Sequence, residues 1–390
     1  MNTLLQEAEK LFEYTRGLRR DFHMHPEMGF KEVRTAGIVA RELSQLGLEV
    51  MTGVAETGVV AMLEGTRPGP VALLRFDMDA LPIMEDTGAE YASQNPGVMH
   101  ACGHDGHVAV GLTVARLLNE RRGEMRGAVK LVFQPAEEGQ GGAERMLAEG
   151  IMENPRVDYT LAMHLWNEKP VGWIGLSDGP LMAGADLFQV TVEGKGGHGA
   201  LPQFSVDPIV AAAQIILALQ TVVSRNVSPL EAAVVTVGRV KAGEAFNVIP
   251  QVAELGGTIR WFDPKVRELL IQRMEEIVTS IATAMNCKAS LKVTVMTISL
   301  INDPEMTAVV RKTIGETLPD AQIVENYRVM GSEDMAYMIK AAPGSFVLIG
   351  SANAEKGLVY GHHHPKFDID EEAMPRAAAL IAATALNLLK

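Results

Sequence analysis

Cysteine and concentrated positive charge are both scarce in this sequence. Its 390 residues include two cysteines, Cys102 and Cys287, which excludes a disulfide framework and fits a reducing intracellular compartment. The formal net charge is −13, and the arginine doublets at 19–20 and 121–122 are isolated. Because such a chain repels nucleic acid and anionic membranes, we expect neither as a partner.

The sequence also shows no secretory signal and no segment that we expect to span a membrane. The first ten residues contain acids and lack the basic, apolar and small-residue regions of a secretory signal. The most apolar stretch, 208–223, carries Gln214 and Gln220 and is too short to span a bilayer. We therefore predict a soluble, cytoplasmic protein.

The order of strand-like and helix-like segments predicts two domains of different type. Apolar strands at 71–76, 129–133 and 159–163 alternate with helical periodicity, which is typical of an α/β sheet with helices on both faces. Residues 185–295 follow the βαββαβ order of a ferredoxin-like α+β unit. We predict a discontinuous α/β catalytic domain over 1–183 and 298–390, interrupted by an inserted domain over 184–297.

One short segment concentrates residues that bind metals. His100–His107 contains one of the two cysteines and three of the ten histidines, and thiolate with imidazole suits zinc or another late first-row metal. Cys102 and His104 supply two ligands. Further candidates are Glu137–Glu138 after strand 129–133, His164 directly after strand 159–163, and the run 362–364 in a loop. Loops after strands are where α/β sheets bind ligands, so the pattern predicts a metallohydrolase.

Six motifs follow one another along the chain: His23–Glu27, Asp77–Pro82, Met99–His107, Gln134–Gly139, Gly196–Ala200 and His363–Pro365. This series resembles the M20 metallopeptidase family, and within it the branch of hippurate hydrolases, N-acyl-amino-acid amidohydrolases and auxin-conjugate hydrolases. The resemblance covers essentially the whole chain.

The resemblance implies a mixed-sheet, zinc-peptidase-like catalytic domain and two divalent metal ions per subunit, either zinc or manganese, cobalt or nickel. It implies that the metal ligands are Cys102 (bridging), His104, Glu138, His164 and His363. It also implies that Glu137 is the general base and acid. This agrees with general chemistry, since paired metals activate water and an adjacent carboxylate moves its proton to the leaving amine.

One position departs from the wider family. That family carries a His-x-Asp pair with a metal-binding histidine where this chain has Asp77 and Asp79. The departure matches the cysteine-containing branch and argues against a direct metal role for Asp77. We expect Asp79 to orient a metal ligand by hydrogen bonding.

The inserted domain supplies the expected substrate contacts. The resemblance implies that His198 stabilises the oxyanion, often across a dimer interface, and that Asn247 and Arg260 hold a carboxylate. The planar guanidinium suits that task. The family also implies a homodimer or higher homo-oligomer formed through this lid or dimerisation domain.

The predicted reaction is hydrolysis of the amide of an N-acyl amino acid, hippurate-like or N-acetylated, to a carboxylic acid and a free amino acid. A dipeptidase or carboxypeptidase of the same family is the main alternative, and a non-catalytic acyl-amino-acid-binding protein is another. We interpret His23 and His25 as hydrogen-bonded structural residues. His100 and His107 are interpreted as supports of the site rather than ligands.

Overall fold

The computed structural model describes residues 3–390, which form two compact units. The larger unit comprises the chain up to Leu181 together with Ile301–Arg328 and Asp334–Lys390. The smaller unit comprises Met182–Leu300 and Val329–Glu333. Each unit has a buried apolar cluster of its own.

The helices and strands are numbered in chain order. The helices are α1 (Thr3–Lys10), α2 (Phe12–Met24), α3 (Val33–Gln45), α4 (His104–Asn119), α5 (Gly142–Ala148), α6 (Pro208–Asn226), α7 (Pro264–Ala284), α8 (Pro304–Thr317), α9 (Met335–Ala341) and α10 (Ala373–Leu388). The strands are β1 (Glu49–Val54), β2 (Gly58–Glu64), β3 (Arg67–Asp77), β4 (Arg126–Gln134), β5 (Tyr159–Pro170), β6 (Trp173–Leu176), β7 (Pro180–Met182), β8 (Gly184–Glu193), β9 (Gly197–His198), β10 (Ala233–Ala242), β11 (Val248–Ile249), β12 (Val252–Trp261), β13 (Lys288–Thr297), β14 (Leu300–Ile301), β15 (Gln322–Glu325) and β16 (Gly344–Ala352).

The larger unit is built on a mixed sheet with strand order β1-β2-β4-β3-β5-β16-β6-β15. The central pairs β4–β3, β3–β5 and β5–β16 are parallel, whereas β1–β2, β2–β4 and β16–β6 are antiparallel. Apolar strands buried on both faces are typical of parallel sheets covered by helices. The predicted mixed α/β fold is confirmed.

Helix α4 carries the cysteine–histidine segment at its start and lies close to the sheet. A Cβ atom added at Gly111 would lie 2.6 Å from the ring of Phe76 in β3, so only glycine permits this approach. The alanine-rich α10 is buried over most of its length and packs against α4. Helix α4 is therefore packed between the sheet and α10.

The smaller unit is an antiparallel sheet with order β10-β12-β8-β13. Its elements follow the chain order β8-α6-β10-β12-α7-β13, which is the predicted ferredoxin-like βαββαβ arrangement. Apolar residues of α6 and α7 share a buried cluster with those of the sheet.

Some predicted elements differ from the observed ones. The helical periodicity of residues 4–22 predicts one helix, but the structure has two, α1 and α2, separated by Leu11. His164 does not follow a strand but lies inside β5, because Leu165 and Trp166 continue the parallel pairing with β16. The short strands β6 and β15 were not predicted, because four residues are too few to show a periodic pattern of apolar side chains.

Helix α6 is longer than its apolar run suggested. By length and composition it could cross a membrane, so the prediction that this stretch is too short is wrong. Ala211, Ile215, Leu219 and Val222 are nevertheless fully buried in the core of the smaller unit. The fold therefore accounts for part of the apolar character of this helix.

A buried ionic cluster joins α2, α4 and the segment before α10. The guanidinium of Arg19 lies 2.8 Å from Asp105 and 2.6 Å from Asp368, and the side chains of Arg19 and Asp105 are fully buried. His23 bonds to Asp105 over 2.7 Å, in agreement with its interpretation as a structural residue. The cluster holds the first turn of α4 in place.

We predict that Arg19→Met lowers the free energy of unfolding by about 3–5 kcal/mol, because it leaves Asp105 and Asp368 buried without the guanidinium that pairs with both. Urea unfolding followed by tryptophan fluorescence measures this change. The matched control is Arg16→Met, which breaks an exposed pair with Glu13 and should cost less than about 1 kcal/mol. Equal effects of the two substitutions would contradict the prediction.

Candidate metal centre

The parallel strands β3 and β4 bring two polar segments to the same edge of the sheet. Asp77, the last residue of β3, is directly opposite Gln134, the last residue of β4. The segments that follow carry Asp79 and Glu137–Glu138. Strand ends that are neighbours in a parallel sheet deliver their loops to one place, so these carboxylates lie close together.

A first group of ligand atoms is formed by Cys102, His104 and His164. Their ligand atoms lie within 4.8 Å of one another. The distance from Sγ of Cys102 to Nε2 of His164 is 3.4 Å. His104 is the first residue of α4, and the preceding Gly103 has a left-handed conformation with φ 91°. Both histidines are buried.

A second group is formed by Cys102, Glu138 and His363, also within 4.8 Å. Nε2 of His363 lies 3.3 Å from Oε1 of Glu138. The backbone of His363 is left-handed, with φ 64°, and its N–H donates to the carbonyl of Ala101 over 2.7 Å. Cys102 thus belongs to both groups.

Asp79 contacts a member of each group. Nδ1 of His104 donates to the backbone carbonyl of Asp79 at 2.9 Å and lies 3.2 Å from its carboxylate. The other carboxylate oxygen accepts the backbone N–H of Glu138 over 3.0 Å. A carboxylate behind a histidine fixes the ring and leaves its second nitrogen to bind a metal.

The donor atoms fit a transition-metal site. Nε2 of His104 is buried and has no hydrogen-bond partner among residues 3–390, since Asp77 is 3.7 Å away. A buried ring nitrogen without a hydrogen-bond partner destabilises the fold, and a bound cation would provide the missing interaction. Sulfur, imidazole and carboxylate together suit late first-row metals.

The pKa shifts of the candidate ligands indicate which of them would have to lose a proton when a cation binds. Burial lowers the pKa of His164 well below its usual range, so its imidazole is neutral and can act as a ligand. Hydrogen bonds with Cys102 and Glu138 raise the pKa of His363 to about 10. Burial raises the pKa of the Cys102 thiol, and Glu138 adds to the rise. A bound cation is what would stabilise the thiolate.

Both carboxylate oxygens of Asp77 accept hydrogen bonds from protein side chains. One accepts from Nδ1 of His107 over 2.5 Å and the other from Arg75 over 2.6 Å. The other ring nitrogen of His107 accepts the N–H of Leu165 over 3.0 Å. Asp77 and His107 also form a group with His104 within 4.8 Å, so they lie beside the first group.

Sequence reasoning missed the role of Arg75. Its buried guanidinium donates to Asp77, to Gln134 over 2.8 Å and to Asp334 over 2.9 Å, which ties the ends of β3 and β4 to the segment before α9. An arginine inside the apolar run 71–76 is a signal that could have identified it. Asp334, which also accepts the N–H of Ala143, offers no such signal.

The substrate-contact candidates lie in the smaller unit. His198 ends β9 and pairs with Val248 of β11, and the neighbouring Gly199 N–H donates to the carbonyl of Asn247 over 2.8 Å. His198 and Asn247 are therefore brought together. Arg260 lies on β12 in the four-stranded sheet and donates to Ser332 over 3.0 Å. Burial lowers the pKa of Arg260.

The chain is similar to one protein family over most of its length and to individual proteins over nearly all of it. A family model described as Peptidase family M20/M25/M40 matches residues 73–387. An N-acetylcysteine deacetylase of Bacillus subtilis (strain 168) is 40% identical over 98% of this chain and 99% of its own length. The IAA-amino acid hydrolase ILR1-like 4 of Arabidopsis thaliana is 39% identical over 99% of this chain and 88% of its own.

A solved structure is also similar to this chain. A Bacillus subtilis protein described as a dinuclear metal binding peptidase from the M20 family superposes with a TM-score of 0.86 at 36% identity. The match covers 98% of this chain and 99% of the other. This agrees with the two overlapping ligand groups, which could bind two metal ions.

The shared position of Cys102 predicts unequal effects of ligand substitutions. We expect Cys102→Ala to reduce bound metal from about two ions per chain to fewer than about one, because it removes a donor from both groups. His363→Ala should retain about one ion, because it leaves the first group complete. Plasma mass spectrometry after reconstitution and gel filtration measures the metal content.

The control for this experiment is His25→Ala, which alters a histidine bonded to the carbonyl of Asp21. It should retain the wild-type metal content. If Cys102→Ala loses no more metal than His363→Ala, the result would argue against Cys102 as a shared ligand.

Proposed function

This chain belongs to the M20/M25/M40 peptidase family, and from that premise we propose that it hydrolyses the amide of N-acyl amino acids, releasing a carboxylic acid and a free amino acid. As a family member it is a metal-dependent amidohydrolase or peptidase. The observation that carries the proposal is one group of side chains, His104, Glu137 and Glu138, whose ligand atoms lie within 4.8 Å.

In this proposal Cys102, His104, Glu138, His164 and His363 would hold two divalent ions, and Cys102 would be the ligand that both groups share. Zinc, manganese, cobalt and nickel all suit the donor set. When bound, such ions supply Lewis acidity at the scissile carbonyl and lower the pKa of the attacking water. Asp79 binds Nδ1 of His104, which would leave Nε2 available to a bound cation.

Glu137 is the proposed general base and acid. It adjoins Glu138 in the irregular segment after β4, where adjacent side chains can point in different directions. Its carboxylate would take the proton of the attacking water and pass it to the leaving amine. The intact carboxylate also argues against a protein that only binds acyl amino acids.

Substrate recognition is assigned to the lid, residues 184–297. The N–H of Ala200 donates to Nδ1 of His198 over 3.0 Å, so a neutral His198 carries its proton on Nε2. That exposed N–H suits the stabilisation of an oxyanion. Arg260 and Asn247 would hold the carboxylate of the amino-acid half.

The proposed substrate class is supported by the names of two relatives, an N-acetylcysteine deacetylase and an IAA-amino acid hydrolase. Both names describe an amino acid joined to a second group. The exposed apolar residues of α6, such as Val210 and Leu217, support association of copies through the lid as a homodimer or higher homo-oligomer. Free Cys102 and Cys287 support a cytoplasmic location.

A second candidate function is a dipeptidase or carboxypeptidase. The description of the solved relative as a peptidase favours it, since the same metals and the same base serve a peptide bond. The two functions differ in the acyl half of the substrate, which carries a free α-amino group in a dipeptide and none in an acyl amino acid.

We predict that Glu137→Gln lowers kcat by about 10²–10⁴-fold, because the amide can neither accept nor return the proton. Metal content should stay at the wild-type level, which plasma mass spectrometry checks. Glu144→Gln, an exposed glutamate on α5, is the control and should leave kcat unchanged. Turnover by Glu137→Gln close to that of the wild type would exclude Glu137 as the base.

We also predict that N-acetyl-methionine or hippurate has a kcat/KM at least about tenfold above that of Gly-Met, a difference of about 1.4 kcal/mol. Converting the substrate carboxylate to an amide should lower kcat/KM for the wild type. It should have little further effect in Arg260→Met, because the guanidinium that recognises the carboxylate is gone. Preference for the dipeptide would instead favour the peptidase.

A further inference from the structure

Glu32 is a buried carboxylate with no part in the proposed metal site or in the proposed proton transfer. It precedes α3, and its side chain is fully buried beneath the segment that carries Glu137. Oε1 accepts the backbone N–H of Ala136 over 2.9 Å, and Oε2 accepts the hydroxyl of Thr57 over 2.5 Å. In the part of the chain that the structure describes, no cation pairs with it.

Ala136 has an unusual backbone conformation. Its φ is 55°, a left-handed value that costs a residue with a side chain about 1–2 kcal/mol. Its N–H is bound by Glu32, and its carbonyl accepts the N–H of Gly142 over 3.0 Å. Both backbone polar groups of Ala136 are hydrogen-bonded. These bonds fix the direction in which the chain continues into Glu137.

Neighbouring residues leave little space for another arrangement. A Cβ atom added at Gly29 would lie 3.0 Å from the Cα of Ala136. A Cβ added at Gly58 would lie 3.1 Å from the ring of Pro135. The segment 29–32 and the β1–β2 turn therefore form a close-fitting support for residues 135 and 136.

The burial of Glu32 is costly, which argues that its hydrogen bonds matter. Burial raises the pKa of Glu32 to about 7; the bonds from Thr57 and Ala136 oppose the rise and the nearby Asp79 adds to it. Other buried carboxylates, such as Asp77 and Asp105, are stabilised by arginines. A carboxylate kept without that compensation is more readily explained by a positional task than by stability.

Glu138 has a separate anchor. Its backbone N–H is held by Asp79 over 3.0 Å, independently of Glu32. We propose that Glu32 is a positioning residue for Glu137: by binding the N–H of left-handed Ala136 it aims the catalytic carboxylate, while Asp79 secures the metal ligand. The inference rests on the proposed role of Glu137 as the base.

The test compares Glu32→Ala with Glu32→Gln in the full-length, metal-reconstituted protein. The glutamine oxygen can still accept the Ala136 N–H, and its amide can donate to the Thr57 hydroxyl. We expect Glu32→Gln to keep kcat within about threefold of the wild type, and Glu32→Ala to lose at least about 30-fold. In Glu32→Ala, KM and metal content should change by less than about threefold, since Asp79 still secures Glu138.

A second readout does not require activity. Amide hydrogen exchange of the 135–138 segment in metal-free protein should accelerate by at least about tenfold in Glu32→Ala and stay near the wild-type rate in Glu32→Gln. If Glu32→Ala does not fold, Glu32→Asp replaces it, because the shorter side chain withdraws the acceptor and keeps the charge. Thr57→Val is the matched control that removes the other partner and should leave kcat within about threefold.

The outcomes separate this inference from the proposed function. Wild-type kcat in a folded Glu32→Ala, equal losses in Glu32→Gln and Glu32→Ala, or an equal loss in Thr57→Val would each overturn the positioning role. If Glu137→Gln itself retains turnover, the proposed function fails and the inference fails with it. If Glu137→Gln is inactive and Glu32→Ala is not, the inference alone fails.

Discussion

The parallel pairing of β3 with β4 is the constraint on which the metal centre depends. It sets Asp77 opposite Gln134, so the segments that follow leave the sheet side by side. Asp79 then reaches both His104 and Glu138, although these residues come from different parts of the chain. A shift of register by one residue would turn the side chains of one strand to the other face of the sheet, so the pairing of β3 with β4 is closely specified.

Buried polar side chains that pair with other protein groups surround the candidate ligands and hold them in place. Arg75 joins Asp77, Gln134 and Asp334, while Arg19 secures the first turn of α4 through Asp105. Removing such charges from water is expensive, and the attraction between partners repays it when their geometry is good. The result is a rigid set of donors in which Nε2 of His104 is left for a cation.

Much of the fold and of the candidate site could be predicted from local patterns. The apolar run of β3 and the periodicity of α4 predicted these elements, and the spacing of Cys102 and His104 predicted a pair of candidate metal donors, because these signals lie within a few residues. The end of β5 could not be predicted, since a strand buried on both faces has no alternation to mark where it stops. Glu32 and Asp334 gave no local signal, because their partners are far away along the chain.

The sequence by itself determined the chemistry that this protein has available: one thiolate, several imidazoles and the adjacent Glu137 and Glu138, arranged in motifs typical of one hydrolase family. Only the tertiary structure decided which of these side chains meet, that Cys102 belongs to two ligand groups, and that a distant carboxylate holds Ala136 in a left-handed conformation. The physical reason is that spacing along a chain fixes contacts within a helix or strand. Contacts between elements depend instead on sheet order, register and burial, which no short segment encodes alone.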